Sequence, residues 1–342
     1  MKRIIVIIII LLFIASFTFA SQSPPWIELI LHPTKETKTA QQCRLLPTAQ
    51  EQTDNDAVPL YQKAIQSLQD DSQLKKFTDW RKMPPDQLPI QQVQAELKKL
   101  KPTIDLVTQA TRCKQCNWPF IKPGQVGQQV MDDLSKYRQF AFILDVQAKL
   151  QIAQGQNDQA IETLKTSLTM AKHLGNAPTL IQGLVGIAIA ALNQKRIEQF
   201  IQSDNAPNLY WALENLPQPL VDVTKAIKIE TDNLKNYNFL VRWQAKKVLQ
   251  PAHDHTRKQM NHVDRKVAAL QCIEALRLYA GVHDGKFSDK LSDVTKFKIP
   301  NDPVTKKTFS YKSAGSEAVL ELEGTEGSEG RDAVRYEFKL KE

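Results

Sequence analysis

Two cysteines have the spacing that most directly suggests chemistry in this chain. Cys113 and Cys116 form the sequence CKQC, while Cys43 and Cys272 lie far from them along the chain. A CxxC pair serves thioredoxin-like redox chemistry when it adjoins a βαβ unit, but helix-type periodicity surrounds it here. A c-type haem site needs a histidine after the second cysteine, and Asn117 stands there. A zinc site would need all four cysteines to converge, or two of them to join histidines.

A structural disulfide is the simpler interpretation of these cysteines, because the chain carries an export signal and disulfides are common in exported proteins. Cys113 and Cys116 are the candidates for such a bridge, and a longer-range pairing stays open because connectivity cannot be deduced from sequence. We therefore predict that Cys113 is not a catalytic thiol.

Three histidines in AHDHTRKQMNH form the only histidine cluster of the sequence, at positions 253, 255 and 262. His255 and His262 are seven residues apart, so on a helix they would share a face. No HExxH pairing accompanies them. The segment also joins a long helical pattern to the C-terminal region, and a polar exposed linker explains it more simply than a metal site.

Motifs of known catalytic machinery do not occur in the sequence. There is no GxSxG elbow and no cysteine–histidine signature. Walker and dinucleotide-binding glycine patterns are also missing. Gly183 and Gly186 lie inside an apolar helical pattern, where glycine allows close helix packing. The sequence therefore favours a protein without catalytic activity, and no catalytic or cofactor-binding residue is predicted.

The first twenty residues have the pattern of a secretory signal peptide. Lys2 and Arg3 precede an apolar run from Ile4 to Phe17, and Thr18 and Ala20 provide small residues before a cleavage site. We predict cleavage after Ala20 and export to the periplasm or the extracellular space.

The alternative location is the membrane. Residues 4–20 are just short of the roughly 18 apolar residues expected of a membrane span, so they would form an anchor if cleavage did not occur. The net charge of +8 is spread over mixed acidic and basic stretches, without a basic block. Nucleic acid is therefore excluded as a partner, and a protein or an envelope polymer is predicted instead.

Apolar spacing of three and four residues predicts helices over most of the chain. Gly155 is expected to end one helix, and APTLIQGLVGIAIAALNQKRIEQFI, apolar nearly all round, is expected at the centre of the stack. PLVDVTKAIKIETDNLKNYNFLVRWQAKKVL is predicted to be one amphipathic helix with Tyr237 and Val241 on its apolar face. Phe309 and Tyr311 alternate with polar residues, as in a half-buried strand.

The predicted class is α+β, mostly α, with an irregular stack of α-hairpins followed by a helix and a small antiparallel sheet. The predicted divisions are residues 1–20 (signal peptide), 21–53 (extended, poorly ordered segment), 54–255 (helical scaffold domain) and 256–342 (C-terminal module).

One helical pair in the scaffold resembles a tetratricopeptide repeat. The pair carries small and apolar residues where that repeat packs its second helix on its first, namely Ala148, Gly155, Ala160, Ile161, Leu164 and Leu168. A solenoid needs about three repeats, and only one matches here. The resemblance implies α-hairpins stacked irregularly, with a concave face that a partner could occupy.

The C-terminal module resembles the heads of type II secretion pseudopilins. The matching stretches are RKVAALQCIEALRLYAGVHDGKFSDKLSDV and IPNDPVTKKTFSYKSAGSEAVLELEG. The resemblance implies a pilin-like helix packed on antiparallel strands. The leader, processing junction and internal glutamate of a pilin are missing from residues 4–20, so polymerisation is not implied.

The acidic loop EGTEGSEGRDA resembles the calcium-binding loop of some pseudopilins. On that resemblance Glu326 and Asp332 are the candidate ligands, although glutamates replace the family's short aspartates at positions 323, 326 and 329. Calcium takes six to eight oxygen ligands, which such a loop could supply in part.

The mature chain as a whole resembles uncharacterised secreted proteins typical of planctomycete-type bacteria. The matching stretches are DNDAVPLYQKAI, CNWPF and GQNDQAIETLKTSLTMAKHLGNAPTLIQGLVGIAIAAL, followed by the C-terminal stretches quoted above. The predicted function is a non-catalytic envelope or periplasmic interaction protein that binds a partner on its helical face. An envelope-polymer hydrolase with an unfamiliar site is the alternative.

Overall fold

The fold is mixed α+β and mostly helical, with 59% of the described residues in helices and 11% in strands. The computed structural model describes residues 26–68, 71–119, 128–235, 237–325 and 332–341. The strands are β1 (Trp26–Leu31), β2 (Thr53–Asp56), β3 (Cys113–Gln115), β4 (Ser310–Ala314), β5 (Glu317–Leu322) and β6 (Val334–Leu340). The helices are α1 (Lys38–Gln42), α2 (Ala57–Ser67), α3 (Asp71–Lys82), α4 (Ile90–Lys99), α5 (Lys101–Thr111), α6 (Gln128–Ala153), α7 (Asn157–Gly175), α8 (Leu180–Phe200), α9 (Tyr210–Glu214), α10 (Thr224–Leu234) and α11 (Phe239–Ala280). The predicted class, α+β and mostly α, is confirmed.

Local signals explain several of these boundaries. The Asp56 carboxylate accepts a hydrogen bond from the Val58 amide at 3.1 Å and caps α2. In the same way, the Asn238 side chain accepts from the Val241 amide at 3.0 Å and caps α11. Gly155, between α6 and α7, has a φ of 68°, a conformation that glycine adopts at little cost.

Helix α8 lies at the centre of the helical body, as its nearly uniform apolar character predicts. It packs closely on α7, because a β-carbon at Gly186 would lie 2.6 Å from the Ala171 carbonyl oxygen. A β-carbon at Gly183 would lie 2.6 Å from Cγ1 of Val223. The predicted role of both glycines in close packing is confirmed.

Helix α11 runs 42 residues and corrects two predictions about this region. The predicted linker AHDHTRKQMNH lies in the middle of the helix, and the predicted domain boundary at residues 255 and 256 falls within it. Pro251 removes one backbone donor, yet the helix continues through it. His253 and Thr256 just beyond it are buried, so tertiary packing supports the helix where local propensity alone would end it.

The C-terminal part of α11 packs against a four-stranded sheet with the order β1-β6-β5-β4. Strands β4, β5 and β6 pair antiparallel, as predicted. Phe309, which precedes β4, is buried, as the predicted half-buried strand requires.

Strand β1 corrects the prediction of a purely antiparallel sheet, because it pairs parallel to β6 and makes the sheet mixed. It also shows regular structure in the segment 21–53, which was predicted to be extended and poorly ordered. Burial alternates along the end of WIELIL, where Leu29 and Leu31 lie in the core while Ile30 between them is exposed. This burial holds the segment in the sheet as a strand.

Candidate functional site

Cys113 and Cys116 lie on and just after β3, which pairs parallel with β2. The surroundings of CKQC therefore include a short two-stranded sheet as well as helices, which the helix-type periodicity did not reveal. The Cys113 thiol donates to the Gln109 carbonyl at 3.5 Å, and the Thr53 hydroxyl donates to its sulfur at 3.9 Å. All four cysteines are free thiols in the structure.

Burial raises the pKa of both CKQC thiols above the ordinary value for cysteine. The carboxylate of Asp56 raises the pKa of both thiols further. Both thiols are therefore protonated at neutral pH, and a protonated thiol is a poor nucleophile. This environment favours a structural role for Cys113 and Cys116, and the disulfide between them stays a prediction.

The two cysteines line a cleft of about 490 Å³, together with the end of α7 and the loop that starts at Arg44. His173 lies in this cleft, and its Nδ1 atom is 3.0 Å from the Tyr61 hydroxyl. The indole of Trp118 donates to the His173 carbonyl at 2.8 Å. Burial lowers the pKa of His173 to about 4, so the imidazole is neutral at pH 7. The ring and the backbone carbonyl of His173 are therefore both already engaged in hydrogen bonds.

Asp332, one of the two calcium candidates, holds a buried arginine. Its carboxylate lies 3.1 Å from the Arg265 guanidinium and accepts from the Thr325 amide at 3.0 Å. Arg265 is fully buried and also pairs with Asp302 at 2.7 Å. Calcium would have to compete with these contacts for Asp332. Glu326 lies outside the described residues, so the calcium site stays a prediction.

The three clustered histidines lie on α11 in different surroundings. His253 is buried and its Nε2 atom lies 3.0 Å from the Glu230 carboxylate on α10, so this contact joins the two helices. Burial lowers the pKa of His262 to about 4, while His255 is exposed. Within the described ranges, no group of three or more histidine, cysteine, aspartate or glutamate side chains could hold a metal ion.

A different surface carries the largest apolar exposure of the helical part. Helices α10 and α11 form a hairpin, and we define residues 237–244 as the hairpin tip. Every one of these eight residues is exposed. The exposed fraction is 69% for both Phe239 and Leu240 and 51% for Trp243. Apolar residues are common on protein surfaces one at a time, but a contiguous group marks an interaction site.

The hairpin tip is followed by positive charge without compensating negative charge. Arg242, Lys246 and Lys247 are exposed, and no aspartate or glutamate occurs from Phe239 to His253. In the part of the chain that the structure describes, none of the three cations forms an ion pair. The Lys247 ammonium lies over the Trp243 ring, 3.8 Å from its centroid.

The sequence predicted one amphipathic helix across this region with Val241 on its apolar face, whereas the structure has two helices, α10 and α11, and leaves Val241 exposed. The signal that could have identified it is the run YNFLVRWQAKK, in which five large apolar or aromatic residues stand among cations and no acid. Its exposure follows from the position of the hairpin, which periodicity cannot specify.

No known protein family, curated protein or solved structure matches this chain. Among the described residues, no helix combines the length and the apolar character that a membrane span requires.

Proposed function

We propose that this chain is an exported interaction protein of the bacterial envelope, in which a helical body and a sheet support a docking hairpin. The observation that carries the proposal is the hairpin tip, where Phe239, Leu240 and Trp243 stand in solvent together. A stable fold gains nothing from exposing three large apolar side chains side by side, whereas a docking surface requires it.

The helical body, in this proposal, is a stack of tetratricopeptide-like hairpins. The turn at Gly155 and the buried small residues Ala148 and Ala160, where α6 meets α7, support that arrangement. Such a stack keeps its neighbours in fixed positions, so it suits a scaffold that presents one projecting element.

The C-terminal part is proposed to be pilin-like. One half of α11 packs on strand β5 of the sheet, and the other half carries exposed apolar residues. Strand β1, which is formed by the first described residues, is an addition to the pilin-like arrangement.

Export rests on residues 1–20, which lie outside the described residues. The proposal takes them as a cleaved signal peptide, with an uncleaved anchor at residues 4–20 as the alternative. N-terminal sequencing of the protein recovered from the envelope fraction distinguishes the two, because cleavage places Ser21 at the new terminus.

Docking is tested by sedimentation with isolated envelope fraction, using the chain without residues 1–20. Phe239→Ser combined with Trp243→Ser should abolish sedimentation. The matched control is Val282→Ser, which replaces another exposed apolar residue of 64% exposure, just beyond the opposite end of α11. Equal sedimentation of the tip variant and the parent would refute a docking role for the hairpin.

A further inference from the structure

We infer that the hairpin tip docks on the surface of an anionic lipid bilayer, an inference that rests on the proposed docking function and names its partner. The tip would place its aromatic side chains in the interfacial layer, while the cations behind it contact lipid phosphates.

Phe239 and Trp243 lie on the side of α11 that is turned away from the body, whereas Val241 lies on the other side. Ala245, Val248 and Ala252 are half-buried and mark the side turned toward the rest of the protein. At about 100° per residue, Phe239 and Trp243 project from the opposite side. This outward side is free to meet a surface without any rearrangement of the hairpin.

Charge follows the apolar residues along the axis of the helix. Phe239 and Trp243 occupy the first turns, and Lys246 and Lys247 follow within about 12 Å of Phe239, at a rise of about 1.5 Å per residue. An interfacial helix buries its apolar face about 5–10 Å deep, near the boundary between headgroups and acyl chains. The spacing therefore lets the Phe239 ring reach that boundary while the Lys246 and Lys247 ammonium groups stay at the level of the phosphates, with the Trp243 ring beside Lys247 at the headgroup level.

The charges match an anionic surface. Arg242, Lys246 and Lys247 have no ion pair within the described residues, and the nearest acid along the helix is Asp254. Juxtamembrane cations of this kind are attracted by the negative potential of anionic lipids. Long lysine and arginine side chains can also extend their charged ends to the headgroups while their methylene stems cover apolar surface.

A protein groove fits the same residues less well. Lysine is depleted in the cores of protein–protein interfaces, and here two lysines stand within one turn of Trp243. Tryptophan and tyrosine are instead enriched at membrane–water interfaces, where one edge of the ring is apolar and the other is hydrated. Tyr237 and Trp243, both exposed at the tip, have this character.

The test measures sedimentation of the purified chain with vesicles of phosphatidylcholine, with and without phosphatidylglycerol. Residues 1–20 are removed because their apolar run would partition by itself, and this deletion touches none of the described residues. The chain should bind vesicles that contain phosphatidylglycerol and lose that binding as salt is raised. Phe239→Ser with Trp243→Ser should abolish binding.

Lysine variants separate local charge from net charge. Lys246→Gln with Lys247→Gln should weaken binding about fivefold for each cation removed. Lys312→Gln with Lys339→Gln, on the exposed side of the sheet, removes the same net charge and should leave binding unchanged. All four sites are exposed, so unchanged circular dichroism and melting temperature should confirm that these variants fold.

Three outcomes would overturn the inference, and they are distinguishable from failure of the proposed function. Tip-dependent sedimentation with envelope fraction but not with vesicles would assign the tip to a protein or polymer partner. A tip-dependent dimer in analytical ultracentrifugation, without vesicle binding, would assign it to a second copy of the chain. Absence of tip-dependent binding in both sedimentation assays would reject the docking function as well.

Discussion

Individual buried charges connect distant parts of this chain. Arg265 on α11 reaches Asp302 and Asp332 and donates to the Glu323 carbonyl, so one side chain joins the helix to both ends of the acidic loop and to the corner before β4. The guanidinium is fully buried, and its partners compensate for the loss of hydration. Removal of this side chain takes an ion-pair partner from two carboxylates.

Arg265→Met should therefore lower the free energy of unfolding by about 3–5 kcal/mol, the usual cost of breaking a buried ion pair. The control is Arg335→Met, since Arg335 also contacts two carboxylates, Glu321 and Glu337, but its side chain is 45% exposed. That change should cost less than about 1 kcal/mol. Urea unfolding of both variants measures the difference, and similar losses would contradict the assignment.

A second prediction concerns pH and Asp264, whose carboxylate accepts from the Leu220 amide at 2.9 Å. Burial raises the pKa of Asp264 to about 6, from 3.8 in the unfolded chain. The folded protein then binds this proton more tightly than the unfolded chain does. The contribution of Asp264 to stability should therefore decrease as pH rises from about 4 to about 6.

Asp264→Asn isolates this effect, because the amide keeps an acceptor for Leu220 and carries no charge. The stability of the parent relative to the variant should be constant below pH 4 and should fall by about 3 kcal/mol by pH 7. Denaturant unfolding across this range is the measurement. A difference that does not change with pH would show that the carboxyl group has an ordinary pKa.

At the scale of elements, close approach of helices depends on two glycines of α8. Gly183→Ala should cost about 1–3 kcal/mol, because the added methyl group would collide with Val223. The colliding atom belongs to a side chain, so Val223→Ala should relieve the collision. In the double variant, Gly183→Ala should cost less than it does alone, and a thermodynamic cycle of the four proteins measures the coupling. Strictly additive losses would contradict the packing described for this pair.

The sequence predicted elements well where a long periodic pattern met a distinct stop. The turn at Gly155, the central position of α8 and the strands β4 to β6 are examples. It predicted α11 poorly, since Pro251 and the neighbouring polar residues resemble a linker, and only burial of His253 and Thr256 shows why the helix continues. Local propensity cannot report a tertiary contact.

The candidate sites were likewise predicted only in part. The environment of Cys113 favours the structural role predicted for it, but the prediction rested on a helical setting without a βαβ unit, and neither the burial of the thiol nor the parallel pair β2–β3 could be read from the sequence. The hairpin tip was recognised as amphipathic but its exposure was not predicted, since exposure depends on where α10 and α11 lie relative to the body. A sequence shows which residues could form an apolar surface, but it does not show whether the rest of the fold covers them.

At the scale of the whole molecule, β1 unites the two ends of the described chain. Leu31 is fully buried against the sheet, and the Arg277 side chain donates to the His32 carbonyl at 3.1 Å. The Tyr336 hydroxyl in β6 donates to Glu198 of α8 at 2.9 Å, which connects the sheet to the helical body. These contacts predict that body and sheet unfold together.

Leu31→Ala should therefore destabilise the entire chain by about 2–5 kcal/mol, as expected for a large-to-small change in a core. Urea unfolding followed by circular dichroism and by tryptophan fluorescence should show one transition, displaced equally in both signals. Four of the five tryptophans lie outside the sheet, and Trp26 lies in β1. A variant in which most of the fluorescence change keeps the parent midpoint would therefore show that the body folds independently.

The pairing of β1 with β6 also sets an order of events in time. Strand β1 is among the first described residues to leave the ribosome, and β6 is among the last. At about 5–20 residues per second, the roughly 300 residues between them take about 15–60 s to synthesise. Throughout that interval the hydrophobic strand WIELIL has no partner from its own chain. A protein built in this way completes its sheet only when β6 arrives, and until then it depends on its cell to keep that strand from pairing elsewhere.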